Sequence, residues 1–157
     1  MGSPAIPKGE EDSGFSTLDL VKHALKSQIY NMTSKDTVTL FTYNSSASLC
    51  FSKKAMDQKG KEEILSSIDK LFPTGGTNIW DGIFKPLECV DESYNNPYIL
   101  LFTDGQPTVS PPRGEQYYLD KYIDTHGLKA PINTYGFGKN LNEELLNNIS
   151  LSGRGRY

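Results

Sequence analysis

A chain of 157 residues with 36% apolar side chains suits a single domain with its own core. Its formal net charge of -3, with Lys and Arg scattered rather than clustered, excludes the electrostatic footprint of a nucleic-acid or anionic-membrane binder. Two cysteines, Cys50 and Cys89, exclude a disulfide framework and lack zinc-site spacing, so they read as reduced thiols and point to an intracellular, cytoplasmic location.

Residues 1–15 open on Gly, Ser, Pro, Lys and Glu with almost nothing to bury, which predicts a mobile surface loop or insertion and neither a strand nor a signal peptide. Ser16, three residues before Asp19, matches a capping box with the shorter acid, and Leu18, Val21, Leu25 and Ile29 follow at helical spacing, so a helix is expected from about 17 to 31. Thr37–Tyr43, rich in β-branched and aromatic residues, reads as a strand. A short second strand, Leu49–Phe51, lies beyond Asn44-Ser45-Ser46, and the two suit a hairpin. Lys61 to Leu71 carries Ile64, Leu65, Ile68 and Leu71 on one face and is an amphipathic helix ending before Pro73.

Pro73-Thr74-Gly75-Gly76-Thr77-Asn78 is a tight glycine-rich loop, and Ile79, Ile83 and Leu87 behind it repeat at helical spacing, placing Thr77 at or near a helix start. Tyr98 to Thr103 is a continuous apolar run, as a strand buried on both faces requires, with Asp104-Gly105 at its carboxyl end. Tyr117 to Asp124 then reads as a helix, Ile132 to Phe137 as a strand and Asn142 to Ile149 as a last helix. This alternation predicts an α/β, three-layer, Rossmann-like fold: a mostly parallel central sheet with helices on both faces, binding its ligands outside the carboxyl ends of the strands.

Three segments carry a family resemblance: Gly75-Gly76-Thr77-Asn78-Ile79 before a helix, Leu100 to Gly105 closing a strand, and Thr134 to Gly138 closing the next. With Leu18–Ala24 and Asp36–Phe41, their order and spacing resemble the von Willebrand factor A domain over residues 16–157. The resemblance implies a protein-binding module, not an enzyme. It also implies a metal-ion-dependent adhesion site in which Mg2+ or Mn2+ sits at the sheet edge and an acidic side chain of another protein completes the shell. Thr77 matches the family's ligating threonine and Asp104 its aspartate, while Gly75, Gly76, Asn78 and Gly105 form the surrounding partner-binding loops. Taken singly, Thr77 equally reads as a helix cap and Asp104 as a turn residue.

The match is incomplete. The family's aspartate-x-serine-x-serine motif, at the end of its first strand, has no counterpart. Met1 matches the methionine that commonly follows that motif, so the sequence is expected to begin just after the family's first strand, as a late gene-model start or a cut fragment would leave it. A degenerate motif in Asp12-Ser13-Gly14-Phe15-Ser16 is the poorer alternative, because Gly14 replaces a serine and no apolar strand precedes it. With one carboxylate and one hydroxyl, magnesium binding is expected to be weak or absent. Without a central strand, unpaired backbone groups would cost about 1 to 3 kcal/mol each if buried, so an unstable chain is expected unless the sheet closes differently. Gly153 to Tyr157 resembles the entry to the family's final strand.

Two rival functions stand beside this reading: a metal-independent scaffold, and an Asp104-dependent phosphatase-like hydrolase. Phe102 and Gln106 depart from the hydrolase pattern. Gly75-Gly76-Thr77 lacks the lysine and spacing of a phosphate-binding loop, His23 and His126 are assigned no role, and Trp80 is left open between core and contact surface.

Overall fold

A computed structural model describes residues 16–103, 106–139 and 141–157. The segment read as a loop or insertion, 1–15, therefore lies outside the described residues, as do Asp104 and Gly105.

Helix α1 spans Thr17–Asn31, and its capping box is complete: the Ser16 hydroxyl accepts from the Asp19 amide while the Asp19 carboxylate accepts from the Ser16 amide at 2.9 Å. Strand β1, Thr37–Tyr43, pairs antiparallel with β2, Ala47–Ala55, through the Asn44–Ser46 turn. The second strand is longer than its apolar core of Leu49–Phe51 suggested, because Ser52 and Lys53 are exposed edge residues that need no apolar pattern. Helix α2, Gln58–Asp69, begins before the predicted Lys61 because Asp57 caps it, accepting from the Gly60 amide at 2.8 Å. Then come α3, Ile79–Cys89, β3, Ile99–Thr103, α4, Glu115–His126, β4, Ile132–Gly136, and α5, Glu143–Ser152. Each lies where the periodicity placed it, within a few residues.

Strands β3 and β4 pair in parallel, Ile99 opposite Ile132 through Thr103 opposite Gly136. The C-terminal segment runs alongside β4. Arg154 makes an isolated parallel bridge to Ile132, and the Thr134 amide donates to the Arg156 carbonyl at 2.9 Å. The main core gathers Ile83, Leu87, Leu101, Leu119, Ile132 and Ile149 with their neighbours between α3, α4, α5 and the β3–β4 pair. A smaller core of Ile29, Met56, Ile64 and Ile68 joins α1, α2 and the base of β2.

The expectation of one mostly parallel central sheet with helices on both faces is met only in part. Among the described residues there are two separate two-stranded sheets, β1–β2 and β3–β4, and β1 shares no ladder with β3. Backbone pairing requires strands about 4.8 Å apart, and a cleft lies between these two.

Candidate functional site

Three loops meet at the carboxyl ends of β1 and β3. The first, Asn44–Ser46, is the β1–β2 turn; the second, Thr74–Asn78, leads into α3; the third, 106–110, follows β3. Gly75 has φ 67°, left-handed backbone that a side chain would strain. Gly76 is required for a different reason: a Cβ there would lie 2.5 Å from Thr108 Oγ1. Its amide donates to the Ser45 hydroxyl at 3.1 Å.

Thr77 is held from both sides of its peptide. Its amide donates to Thr108 Oγ1 at 2.7 Å, and its carbonyl accepts from the amides of Thr108 at 2.9 Å and Val109 at 3.2 Å. The threonine therefore sits just ahead of the helix and does not cap it. The cap is Asn78, whose Oδ1 accepts from the Asp81 amide at 3.0 Å while its Nδ2 donates to the Ser45 carbonyl at 3.1 Å. Asn44 completes the frame by accepting from the Asn78 amide at 2.7 Å and donating from Nδ2 to Thr74 Oγ1 at 3.1 Å. The structure thus brings together the predicted Gly75, Gly76, Thr77 and Asn78 and adds Asn44, Ser45 and Thr108, which the sequence reading missed. Their signal was present but ambiguous, since Asn44-Ser45-Ser46 reads equally well as any hairpin turn.

A cavity of about 520 Å3 opens beneath these loops, lined by Leu18, Val21, Tyr43, Thr77, Phe102 and Thr103 among others. Its polar lining consists of hydroxyls, amides and backbone groups together with Lys70. The nearby carboxylate, Asp81, is engaged elsewhere: it accepts from the Ala47 amide and pairs with Lys85 at 3.0 Å. Magnesium wants six oxygens in a near-octahedral shell with carboxylates among them. Among the described residues, no group of three or more His, Cys, Asp or Glu side chains is placed to hold a metal ion. The described donors do not by themselves fit that cation. Asp104 and Gly105, predicted alongside Thr77, lie outside the described residues.

Elsewhere, Trp80 is half-buried and stacks on Phe84 with ring centroids 5.5 Å apart, which makes it part of the packing around α3. His23 is exposed, and His126 stacks on Tyr122 at 4.7 Å.

The family model for the von Willebrand factor type A domain matches residues 9–157. Among curated proteins, the chain is similar to inter-alpha-trypsin inhibitor heavy chain H3 of Homo sapiens and of Pongo abelii, 25% identical over 173 residues in each case. That likeness covers 99% of this chain but only 19% of each relative. Among solved structures, an aerotolerance-related membrane protein from Bacteroides fragilis superposes with a TM-score of 0.70 at 15% identity, covering 89% of this chain and 79% of that one. The conserved hypothetical protein BatB from Bacteroides thetaiotaomicron follows at 0.68 and 13%, covering 89% and 78%. These likenesses show the fold.

The expected intracellular, cytoplasmic location is overturned here, since the first of these fold neighbours is described as a membrane protein. The inference from scarce cysteine was unsound, because a domain of this size with a formed core needs no covalent cross-link in any compartment. Among the described residues, no helix is long and apolar enough to cross a membrane.

Proposed function

The chain belongs to the von Willebrand factor type A domain family, and from that premise we propose that it binds another protein at the loop cluster on the carboxyl ends of β1 and β3. Members of this family are protein-interaction modules and often bind a divalent metal, and no catalytic role is proposed for any residue. The observation that carries the reading is the convergence of three loops from separate elements, locked at Thr77 by Thr108 and at Gly76 by Ser45. A rigid rim of hydroxyls and amides on such an edge suits an acidic side chain of the partner, because charge-assisted hydrogen bonds to a carboxylate are the strong ones.

In this reading Thr77 and Asp104 carry the contact, and Gly75, Gly76, Asn78 and Gly105 shape the loops around them. The domain occupies residues 16–157, with 1–15 leading into it. Strands β1 and β3 belong to one mostly parallel sheet, interrupted at the cleft between them. A second reading, a metal-independent scaffold, is favoured by the scarcity of carboxylates among the described donors.

The test is a calorimetric titration with Mn2+ and Mg2+ of the chain and of its Thr77→Ala and Asp104→Ala variants. Binding that is lost in both variants supports a metal-assisted edge. If the unaltered chain takes up neither ion at millimolar concentration, the edge works without metal.

A further inference from the structure

Between the Thr77 clamp and the start of α4 the chain reads Val109-Ser110-Pro111-Pro112-Arg113. Ser110 and Arg113 are exposed. Pro111 keeps the Ser110 backbone out of helix. The chain then turns, and the Gly114 amide donates to the Pro111 carbonyl at 2.9 Å, a loop contact that opens at little cost. A serine followed directly by proline, with a basic residue three positions on, is the pattern that proline-directed protein kinases read. The other Ser-Pro pair of the chain, Ser3-Pro4, has Ile6 in that place.

The hydroxyl of this serine is part of what fixes the loop. It donates to Glu115 Oε1 at 2.5 Å, and Glu115, in the first turn of α4, is only 4% exposed. The loop is therefore anchored one residue beyond Val109. Thr108 and Val109 are the residues whose amides hold the Thr77 carbonyl, and Thr108 Oγ1 accepts from the Thr77 amide. Whatever moves Ser110 away from Glu115 pulls on that clamp.

We propose that Ser110 is a phosphorylation site for a proline-directed protein kinase and that its phosphate releases the clamp on Thr77. The Ser110 oxygen attacks the γ-phosphorus of ATP, the bond to ADP breaks, and the hydroxyl proton passes to the kinase's base. Once esterified, Oγ has no proton to donate, and a group of charge about −1.5 to −2 stands where the hydroxyl met a buried carboxylate. Attraction becomes repulsion. The Arg113 guanidinium, 4.0 Å from the Tyr117 ring and exposed, offers the phosphate an opposite charge on the solvent side. The loop leaves Glu115 for that side, and Thr108 and Val109 leave Thr77 with it. The inference deepens the reading of these loops as the binding edge and rests on it for its consequence, a binding edge switched off by phosphorylation.

The experiment treats the full chain with ATP, Mg2+ and a proline-directed kinase, maps the phosphate by mass spectrometry, and then follows amide hydrogen exchange residue by residue after kinase and metal are removed. The expected result is phosphate at Ser110, absent from the Ser110→Ala chain. Exchange of the Thr77, Thr108 and Val109 amides should rise by roughly tenfold or more, while Leu119 in the middle of α4 keeps its rate. In a Glu115→Gln chain the amide can donate to the phosphate, so phosphorylation should leave the three amides as slow as before. Three results overturn the proposal: Ser110 left unmodified in the folded chain while a synthetic 106–117 peptide is phosphorylated; phosphate at Ser110 with the three amides unchanged; or equal release in Glu115→Gln. None of these readouts involves a bound metal or a partner. An edge that binds nothing therefore leaves the switch standing, and unchanged protection sinks the switch even where the edge binds.

Discussion

At the scale of single residues, Tyr43 links the two sheets. Its ring lies against Gly82 of α3, where an added Cβ would approach ring carbons at 3.0 to 3.2 Å, and its hydroxyl reaches Phe102. Tyr43→Phe removes one part-buried hydrogen bond and is expected to cost about 0.5 to 1.5 kcal/mol in chemical denaturation. Gly82→Ala gains about 1 kcal/mol of helix propensity but drives a methyl into the ring, at about 1 to 3 kcal/mol, so the net effect is destabilising. The contact is with a side chain, so the sign should reverse in a Tyr43→Ala background, and a double-mutant cycle measures that reversal.

Four carboxylates, Asp19, Asp36, Glu88 and Asp91, contribute the pH dependence at this scale, and the first two illustrate it. Hydrogen bonds from the Ser16 side chain and backbone hold Asp19 below its usual range, and those from the Thr33 backbone and side chain do the same for Asp36. A depressed folded pKa means that the stabilisation is complete above the ordinary carboxylate value, about 3.8, and is lost as pH falls through the depressed one. Ser16→Ala should therefore move the Asp19 titration, followed by NMR, to higher pH while leaving Asp36 unchanged. These caps were legible in the sequence because capping is local: Ser16 and Asp19 are three residues apart. Thr77 and Thr108 are 31 residues apart, and no local pattern links them. The assignment of Asn78 rather than Thr77 as the cap was within reach of sequence, since asparagine is among the preferred caps.

At the scale of elements, the glycine at the start of α2 shows why boundaries were the weakest part of the sequence reading. Gly60 separates Gln58 and Lys59 from the amphipathic run, so the helix was expected from Lys61. The glycine instead lies inside the first turn, where a Cβ would come within 1.8 Å of the Ala55 carbonyl oxygen at the end of β2. Gly60→Ala should therefore destabilise the fold, and unlike Gly82→Ala it should not be rescued by trimming a neighbouring side chain, because the obstacle is backbone. Thermal melts of Gly60→Ala, alone and combined with Asp57→Ala, check this. The Asp57→Ala change removes a cap at a cost of about 1 kcal/mol and leaves the clash in place. The elements themselves were legible because periodicity is set by burial of one face, which residues such as Ile64 and Ile68 record. The long β2 was not, because an exposed edge strand leaves no apolar alternation to read.

At the scale of the molecule, the alternation of strand and helix predicted the α/β fold, but pairing between β1 and β3 was beyond its reach. Pairing depends on what lies between two strands, and the pattern within either strand does not report it; only the likeness to the family, with its central strand, raised the expectation of unpaired edges. The consequence is a core in two parts. Eleven buried residues form the cluster around α3, α4, α5 and the β3–β4 pair, and four form the cluster joining α1, α2, β1 and β2. Besides Tyr43, the Thr39–Tyr94 contact, Lys53 with Asp91 and Tyr94, and the bonds of Asn44 and Ser45 to the loop before α3, the two parts are joined by α3 itself, which packs on both β1 and β3. Local stability follows the buried apolar contacts of each cooperative unit, so the smaller part should open first. In native-state hydrogen exchange, amides around Ile64 and Ile68 should exchange through a lower-energy opening than those around Ile83 and Leu87. Ile68→Ala should cost about 2 to 5 kcal/mol and widen that difference, because it empties one of only four buried positions. Leu87→Ala strikes the helix that both sheets share, and it should lower the protection of both parts together. If the two regions exchange with one common free energy in the unaltered chain, the cleft does not divide the molecule energetically and β1 and β3 act as a single sheet.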